Sequence, residues 1–389
     1  MIKFDLFTMN DISKKFFIWG IAGLVILRFL MVFFLMNNIP FTDMGDDGFR
    51  PNFSGSYVPD EVNYFNLAQS LTKFSPVTNV ANVGYPLFLA PIVYLTGANS
   101  PIDIVKIVFI IQAFLFFSLA IILTGLVSFE IFKNRKLSLV AAAMFTVYPY
   151  ILFAILKLAN FPRAIPAFHY QMWINIGADY LSAILVYFGF YLFIKRYNTG
   201  NINLVFASAI GVIIAAAALV RVANILYLPL IFLILIWIKK YRASIGFGVA
   251  AFLVYLPQWV YNFYFFGSPL TYGYRIPSIG FDSGSEIIGD WLSFENLSIF
   301  FEKIWLNLPI LVFILPIMIL IVAAGFWRVF IREKIIGFTL AFWIILDVGF
   351  YMFFIAAASQ LRYFIPSIAP LIILFIAGVI KIYEFRRSI

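Results

Sequence analysis

The sequence contains no cysteine, a single histidine and few charged residues, which make up 12% of its 389 positions. Without cysteine there are no disulfide bonds, thiol nucleophiles or thiolate metal ligands. The lone imidazole, His169, also excludes a metal site that needs two histidines. Instead the chain is 63% hydrophobic and 20% aromatic, a balance that ordinary soluble domains do not have.

Apolar runs of about 18 or more residues recur along the chain, which is the pattern of membrane-spanning helices. We therefore predict an all-α polytopic membrane protein, a single module over residues 1–389, with about ten transmembrane helices. The first run, Phe16–Met36, is too long for a cleaved signal peptide, and no cleavage site follows it. The predicted spans lie at 16–36, 104–127, 137–154, 174–194, 203–221, 224–238, 244–262, 305–327, 336–356 and 366–384.

Lysine and arginine orient these spans, because 17 of the 27 basic residues fall in clusters that this topology places on one side. The positive-inside rule identifies that side as the cytoplasm, so both termini are predicted to be cytoplasmic. The basic clusters on the cytoplasmic side then account for the net charge of +9. No nucleic-acid partner is predicted. The clusters are Lys3/Lys14/Lys15, Lys133/Arg135/Lys136, Lys195/Arg196, Lys239/Lys240/Arg242, Arg328/Arg332/Lys334 and Lys381/Arg386/Arg387.

Two long extracytoplasmic loops follow from this topology, at residues 37–103 and 263–304. In the first loop, "GYPLFLAPIVYLTG" at 84–97 is short for a span and holds two prolines, so we expect a juxtamembrane or re-entrant piece. Before it, "PDEVNYFNLAQSL" at 59–71 predicts an interfacial amphipathic helix with its apolar face in the headgroup layer. Asp60 and Glu61 open this helix, where acids also favour the helix dipole.

Charged residues stand at the predicted outer ends of several spans, at Asp179, Arg221 and Arg362. Charges at membrane depth are costly and usually face a cavity or a partner, so we expect these three to share one outward cavity. An arginine at a helix end also snorkels to the interface, and this alternative applies to Arg221 and Arg362. His169 lies in a loop, where an ordinary loop role or contact with an acceptor is favoured over metal binding.

Two further charges lie deeper, at Arg28 and Asp347. Each is about twelve residues into its span from the cytoplasmic side, so both are expected at one depth. We predict that they form an intramembrane ion pair with a structural role.

In this order the motifs make the chain resemble the polytopic membrane glycosyltransferases of the C-fold (GT-C) class, which includes aminoarabinose transferases and protein O-mannosyltransferases. The resemblance runs through most of the length. It is carried by the Asp60–Glu61 pair with spaced Tyr64 and Ala68, by Asp179 and Arg221, and by the stretches "GYPLFLA", "LPQWVYNFYFFGSPLTYG" and "LRYFIPSIAP".

The resemblance implies an inverting glycosyltransferase that moves a sugar from a polyprenyl-phosphate donor to a lipid, glycan or protein acceptor. It implies Asp60 as the base, with Glu61 as the alternative, and Asp179 as a second acid. Arginines suit a leaving phosphate because they bind it bidentately, so Arg221 and Arg362, with neighbouring Tyr363, are the donor-phosphate candidates. Further candidates for the substrate pocket are Tyr64, Tyr85, Asn262 and His169.

The chain also departs from the family pattern, since Asn63, Tyr85 and Tyr261 occupy places where aminoarabinose-type enzymes carry basic residues. No cofactor is predicted, although a divalent metal ion stays open because some members of the wider class use one. The expected partners are the lipid-linked donor, the acceptor and membrane lipids, in the cell membrane of a bacterium or archaeon.

Two other functions remain as alternatives. A secondary transporter would also have about ten spans, but internal repeats and charges at the membrane midplane would be expected. A lipid-linked glycan polymerase or ligase would use the same carrier lipids and outer-loop arginines. It would not require the acidic pair of the first loop.

Overall fold

The computed structural model describes residues 11–38, 60–75, 77, 82–158, 168, 171–173, 176–271, 309–352 and 361–388. Within these ranges, the side chains of residues 35–38, 60–61, 309–315, 361 and 388 lie outside the description. The described chain is helical throughout and contains no strand, which confirms the predicted all-α class.

Twelve α-helices are named here in chain order. They are α1 (Lys14–Asn38), α2 (Asp60–Thr72), α3 (Gly84–Thr96), α4 (Pro101–Phe132), α5 (Arg135–Leu158), α6 (Ala178–Asn198), α7 (Leu204–Val220), α8 (Tyr227–Trp237), α9 (Tyr241–Phe266), α10 (Pro309–Arg332), α11 (Lys334–Met352) and α12 (Ile365–Ser388). Helix α4 contains a π-helical turn at Ile111–Phe116, and the 3₁₀ turns Val222–Leu226 and Leu361–Phe364 precede α8 and α12.

Seven of the described helices are long and apolar enough to cross a membrane, namely α1, α4, α5, α6, α9, α11 and α12. The predicted spans 203–221 and 224–238 fall on the shorter apolar helices α7 and α8, and span 305–327 falls on α10. The chain is therefore an integral membrane protein of several spans, and the count of about ten is not confirmed.

Glycines allow the central helices to approach closely. In α7, a Cβ added at Gly211 would collide with the backbone of Phe247 in α9, and one at Gly246 would meet Leu204. Near the other end of the same pair, Leu219 packs with Tyr255. Helices α7 and α9 therefore run parallel, and α8 connects them in the sequence. Small residues at helix crossings are typical of membrane proteins, because van der Waals contact there drives association.

The two helices of the first loop pack inside the protein. Three residues of α2 are at most 1% exposed, namely Phe65, Leu67 and Ala68. They pack with α3 and with other helices of the bundle. The helix predicted at 59–71 is confirmed, but the expectation that its apolar face lies among lipid headgroups is wrong. Neighbouring helices of the same chain cover that face.

The predicted ion pair between Arg28 and Asp347 is also wrong. Arg28 is completely buried and donates to the carbonyl oxygens of Ala113, at 3.3 Å, and Met172, at 2.5 Å. Asp347 instead accepts a hydrogen bond from Ser367 at 2.7 Å. Helix α1 packs against α4 and α5, so the two charges lie on separate parts of the bundle.

The described basic clusters and the three candidate charges lie at opposite ends of the helices. Helix α6 carries Asp179 in its first turn and Lys195 and Arg196 in its last turn. Helix α12 follows the 3₁₀ turn that contains Arg362, and it carries Arg386 and Arg387 in its last turn. We call the end that carries Asp179 and Arg362 the acidic–arginine end.

Candidate functional site

Three helix termini bring Asp179, Arg221 and Arg362 together at the acidic–arginine end. Asp179 lies in the first turn of α6, Arg221 caps the C-terminus of α7 in an extended conformation, and Arg362 lies in the 3₁₀ turn before α12. The sequence places each charge at a helix terminus, and the packing of α6 against α7 and α12 brings those termini together. The structure brings these three residues together, as expected, whereas the outward cavity predicted around them stays a prediction.

Asp179 is the shared partner of the two arginines. Its carboxylate forms an ion pair with the guanidinium of Arg221, and the Nε of Arg362 lies 3.8 Å from its Oδ2. The side chains of Asp179 and Arg362 are only 4% and 7% exposed, so water screens these charges weakly. Among the side chains that the structure describes here, two guanidinium groups against one carboxylate leave one net positive charge, which favours an anionic ligand.

Tyrosines complete the surroundings of Arg221. Its Nε donates to the hydroxyl of Tyr351 at 2.5 Å, and its guanidinium carbon lies 4.4 Å from the ring centroid of Tyr363. The two rings stack on each other with centroids 4.9 Å apart. Cation–π contact and the hydrogen bond both restrict the rotamers of the arginine. The guanidinium is therefore held in one orientation.

The helices of the first loop pack directly beside these charges. Phe65 and Ala68 of α2 share one apolar cluster with Ala178, which precedes Asp179, and with Val220, which precedes Arg221. Gly84 allows this approach, because a Cβ there would lie 2.5 Å from the backbone nitrogen of Val220. The glycine of "GYPLFLA" therefore brings α3 against the end of α7.

Helix α9 holds the segment that leads into α3. The Oε1 of Gln258 accepts from the backbone N–H of Val83 at 2.9 Å, and the hydroxyl of Tyr261 donates to the carbonyl of Val77 at 2.8 Å. Asn262 accepts from Gln258 at 2.8 Å and donates to the carbonyl of Pro269 at 3.0 Å. The "LPQWVYN" stretch thus connects both long loops to the bundle.

The other predicted site residues have the following places. Tyr85 is completely buried, and the ring centroid of half-buried Tyr64 lies 4.9 Å from the ring centroid of Tyr85. The backbone of Asp60 and Glu61 forms the start of α2, but their side chains lie outside the described part. His169 lies outside the described residues altogether. The roles assigned to these residues stay predictions.

Sequence reasoning missed three residues of this region, Tyr351, Gln112 and Gln258. Gln112 and Gln258 had a usable signal, because each is an amide inside a strongly apolar stretch, where polar groups usually have a partner. Tyr351 had none, since 21 tyrosines occur in the chain. Its place in this region is evident only from the packing of α11 against α12 and against the turn before α8.

Among the described side chains, no group of three or more Asp, Glu or His residues is arranged to hold a metal ion. The question of a divalent ion stays open, because the side chains of Asp60 and Glu61 in the first loop lie outside that set. No family model, curated protein or solved structure matches this chain, so comparison with known proteins does not assign it to a family.

Proposed function

We propose that this protein is an inverting membrane glycosyltransferase that uses a polyprenyl-phosphate-linked sugar, in keeping with its resemblance to the C-fold class. The observation that carries the proposal is the largely buried cluster of Asp179, Arg221 and Arg362 beside the first-loop helices. A net positive cluster that is largely shielded from water suits a phosphodiester. Its guanidinium groups would stabilise the charge on the phosphate as the bond to the sugar breaks.

An apolar groove supports a lipid-linked donor. It has a volume of about 230 Å³ and lies between α8 and α9, where its lining includes Ile225, Phe232 and Trp259. Ile225 belongs to the 3₁₀ turn that directly follows Arg221. The lining of the groove thus begins four residues after Arg221 in the chain, and we propose that the groove takes the isoprenoid chain of a phosphate held at that arginine, since apolar contact there is favourable.

The proposed reaction is a single displacement. The acceptor hydroxyl oxygen attacks the anomeric carbon, and the bond from that carbon to the phosphate oxygen breaks with its electron pair on the phosphate. Asp60 takes the proton of the hydroxyl, as the resemblance implies for this residue. Arg221 and Arg362 steady the charge on the departing polyprenyl phosphate, and Asp179 orients the two arginines.

The positive-inside rule supports an extracytoplasmic site, because the basic clusters lie at the other end of α6 and α12. This orientation also fits the donor, since a sugar carried on a lipid is accessible outside the cytoplasm, where nucleotide sugars are absent.

The test is transfer of radiolabelled sugar from a panel of polyprenyl-phosphate donors in membranes with matched expression. Wild type is expected to transfer at least one sugar, and Asp60→Asn and Arg221→Lys should each lower kcat by at least about 100-fold. Arg328→Lys, an arginine at the cytoplasmic end, is the matched control and should keep full activity. No transfer by wild type from any donor would overturn the proposal and favour the transporter alternative.

A further inference from the structure

Gln112 is a completely buried amide in the π-helical turn of α4. It stands alone in "IVFIIQAFLFF", an otherwise apolar stretch. A π-helical turn inside an α-helix is uncommon and often accompanies a functional site. The contacts of this amide therefore matter more than its position in a span would suggest.

Its Nε2 donates to two acceptors, the hydroxyl oxygen of Tyr85 at 2.5 Å and the carbonyl oxygen of Gly177 at 3.3 Å. The carbonyl of Gly177 accepts only, so the amide group must direct its nitrogen to that side. One side chain of α4 thus joins the first loop to the start of α6.

Both contacts lead to residues of the proposed site. Gly177 is the N-cap residue of α6, and a Cβ built on it would lie 3.6 Å from the Oδ2 of Asp179. Tyr85 contacts the ring of Tyr64, edge to face at 4.9 Å. Tyr64 follows Asp60 by one helical turn, a rise of about 6 Å.

The other polar atom of this side chain, Oε1 of Gln112, is buried without a hydrogen-bond partner in the described part of the chain. A buried acceptor without a partner costs free energy, about 1–3 kcal/mol. A leucine of similar size would avoid that cost in an apolar span. The amide bears this cost while it makes the two hydrogen bonds that link Tyr85 and Gly177, and a leucine would lose both of them.

We propose that Gln112 is a positioning residue for the transfer reaction. It fixes the start of α6, with Asp179, relative to α2, with Asp60. This inference rests on the proposed function. The hydrogen bonds of Gln112 reach Tyr85 and Gly177 rather than the arginines themselves, so its loss should lower kcat more than it raises the KM for the donor. The kcat should fall between about tenfold and 100-fold, as for other small displacements of reacting groups.

The position of α2 can be measured without any substrate, because the chain has no cysteine. Spin labels would be placed at Asn66→Cys of α2 and Leu158→Cys of α5, which are both exposed. Their distance distribution is expected to broaden or shift when Gln112→Leu is introduced. Thr124→Val is the matched control, since Thr124 is equally buried in α4 and lies away from the site. It should leave both the distances and kcat unchanged.

A milder variant, Tyr85→Phe, removes one acceptor and preserves the ring. If Gln112 acts through Tyr85, the double variant Gln112→Leu/Tyr85→Phe should be little worse than Gln112→Leu alone, whereas independent effects would multiply. Unchanged label distances and kcat in Gln112→Leu would overturn the inference, and so would equal losses in Thr124→Val. If wild type transfers no sugar, the proposed function fails, whereas altered label distances would still support the link made by Gln112.

Discussion

Arg221 and Tyr351 connect two helices that are far apart in sequence: the arginine at the end of α7 donates its Nε–H to the tyrosine hydroxyl of α11 at 2.5 Å. The same guanidinium pairs with Asp179 of α6. Its orientation is therefore fixed from two sides before any ligand arrives. Such preorganisation lowers the cost of binding an anion, because the rotamers of the arginine are already restricted.

Removal of the tyrosine hydroxyl should weaken the fold and the site together. For Tyr351→Phe we expect the free energy of unfolding to fall by about 1.5–3 kcal/mol, the usual range for a hydrogen bond to a charged group. Thermal unfolding in detergent measures this change. Tyr94→Phe, at an exposed position of α3, should unfold like wild type. Equal stability of wild type and Tyr351→Phe would contradict the proposed importance of this bond.

The ion pair of Asp179 and Arg221 should couple energetically. Asp179→Asn leaves the buried guanidinium of Arg362 and the partly buried one of Arg221 without their carboxylate, so we expect a loss of about 3–5 kcal/mol. The double variant Asp179→Asn/Arg221→Gln should be more stable than the sum of the single changes predicts, by at least about 1 kcal/mol. Additive effects in thermal unfolding would show that the pair contributes no coupling. Activity should be lost in all three variants, since both groups belong to the proposed site.

Arg28 and Asp347 should behave independently. The structure gives them separate partners, so the effects of Arg28→Met and Asp347→Asn on the free energy of unfolding should add within about 0.5 kcal/mol. The charge-reversed pair Arg28→Asp/Asp347→Arg should not recover stability. Recovery in that double variant would show that the two residues form an ion pair after all.

The crossing of α10 and α12 should tolerate no side chain at its closest point. A Cβ at Gly378 would lie 2.7 Å from the carbonyl carbon of Ile321, so Gly378→Ala forces the helices apart and should cost about 1–3 kcal/mol. Gly349→Ala in α11 is the control, because its added methyl meets nothing within 4 Å. That control should be neutral or stabilising, by up to about 1 kcal/mol, through helix propensity. Thermal unfolding of the two variants in parallel separates these outcomes.

The convergence of Asp179, Arg221 and Arg362 could be predicted because each is a charge at the end of an apolar run. Helices that alternate in direction place such ends on one side of the membrane, and the cost of burying charge favours their meeting. The same reasoning failed for Arg28 and Asp347. Depth along a helix can be read from residue counts, but which helices are neighbours depends on packing in the membrane plane.

The first loop shows a second limit of sequence reasoning. Apolar spacing in "PDEVNYFNLAQSL" correctly indicates a helix with an apolar face. It does not distinguish whether lipid or protein covers that face, since both are apolar. The contacts of Gln112 and Gln258 with this loop were equally inaccessible, because they join residues that are 27 and 175 positions apart.

The hydrogen bond from Val83 to Gln258 has a consequence for biosynthesis. A nascent chain exposes residues 60–96 well before Gln258 of α9 has been synthesised. The segment between α2 and α3 therefore gains these hydrogen bonds only after α9 has been made. The packing of Leu67 of α2 against Tyr255 and Tyr261 of α9 is completed equally late, and until then the membrane or a chaperone must shield that apolar face.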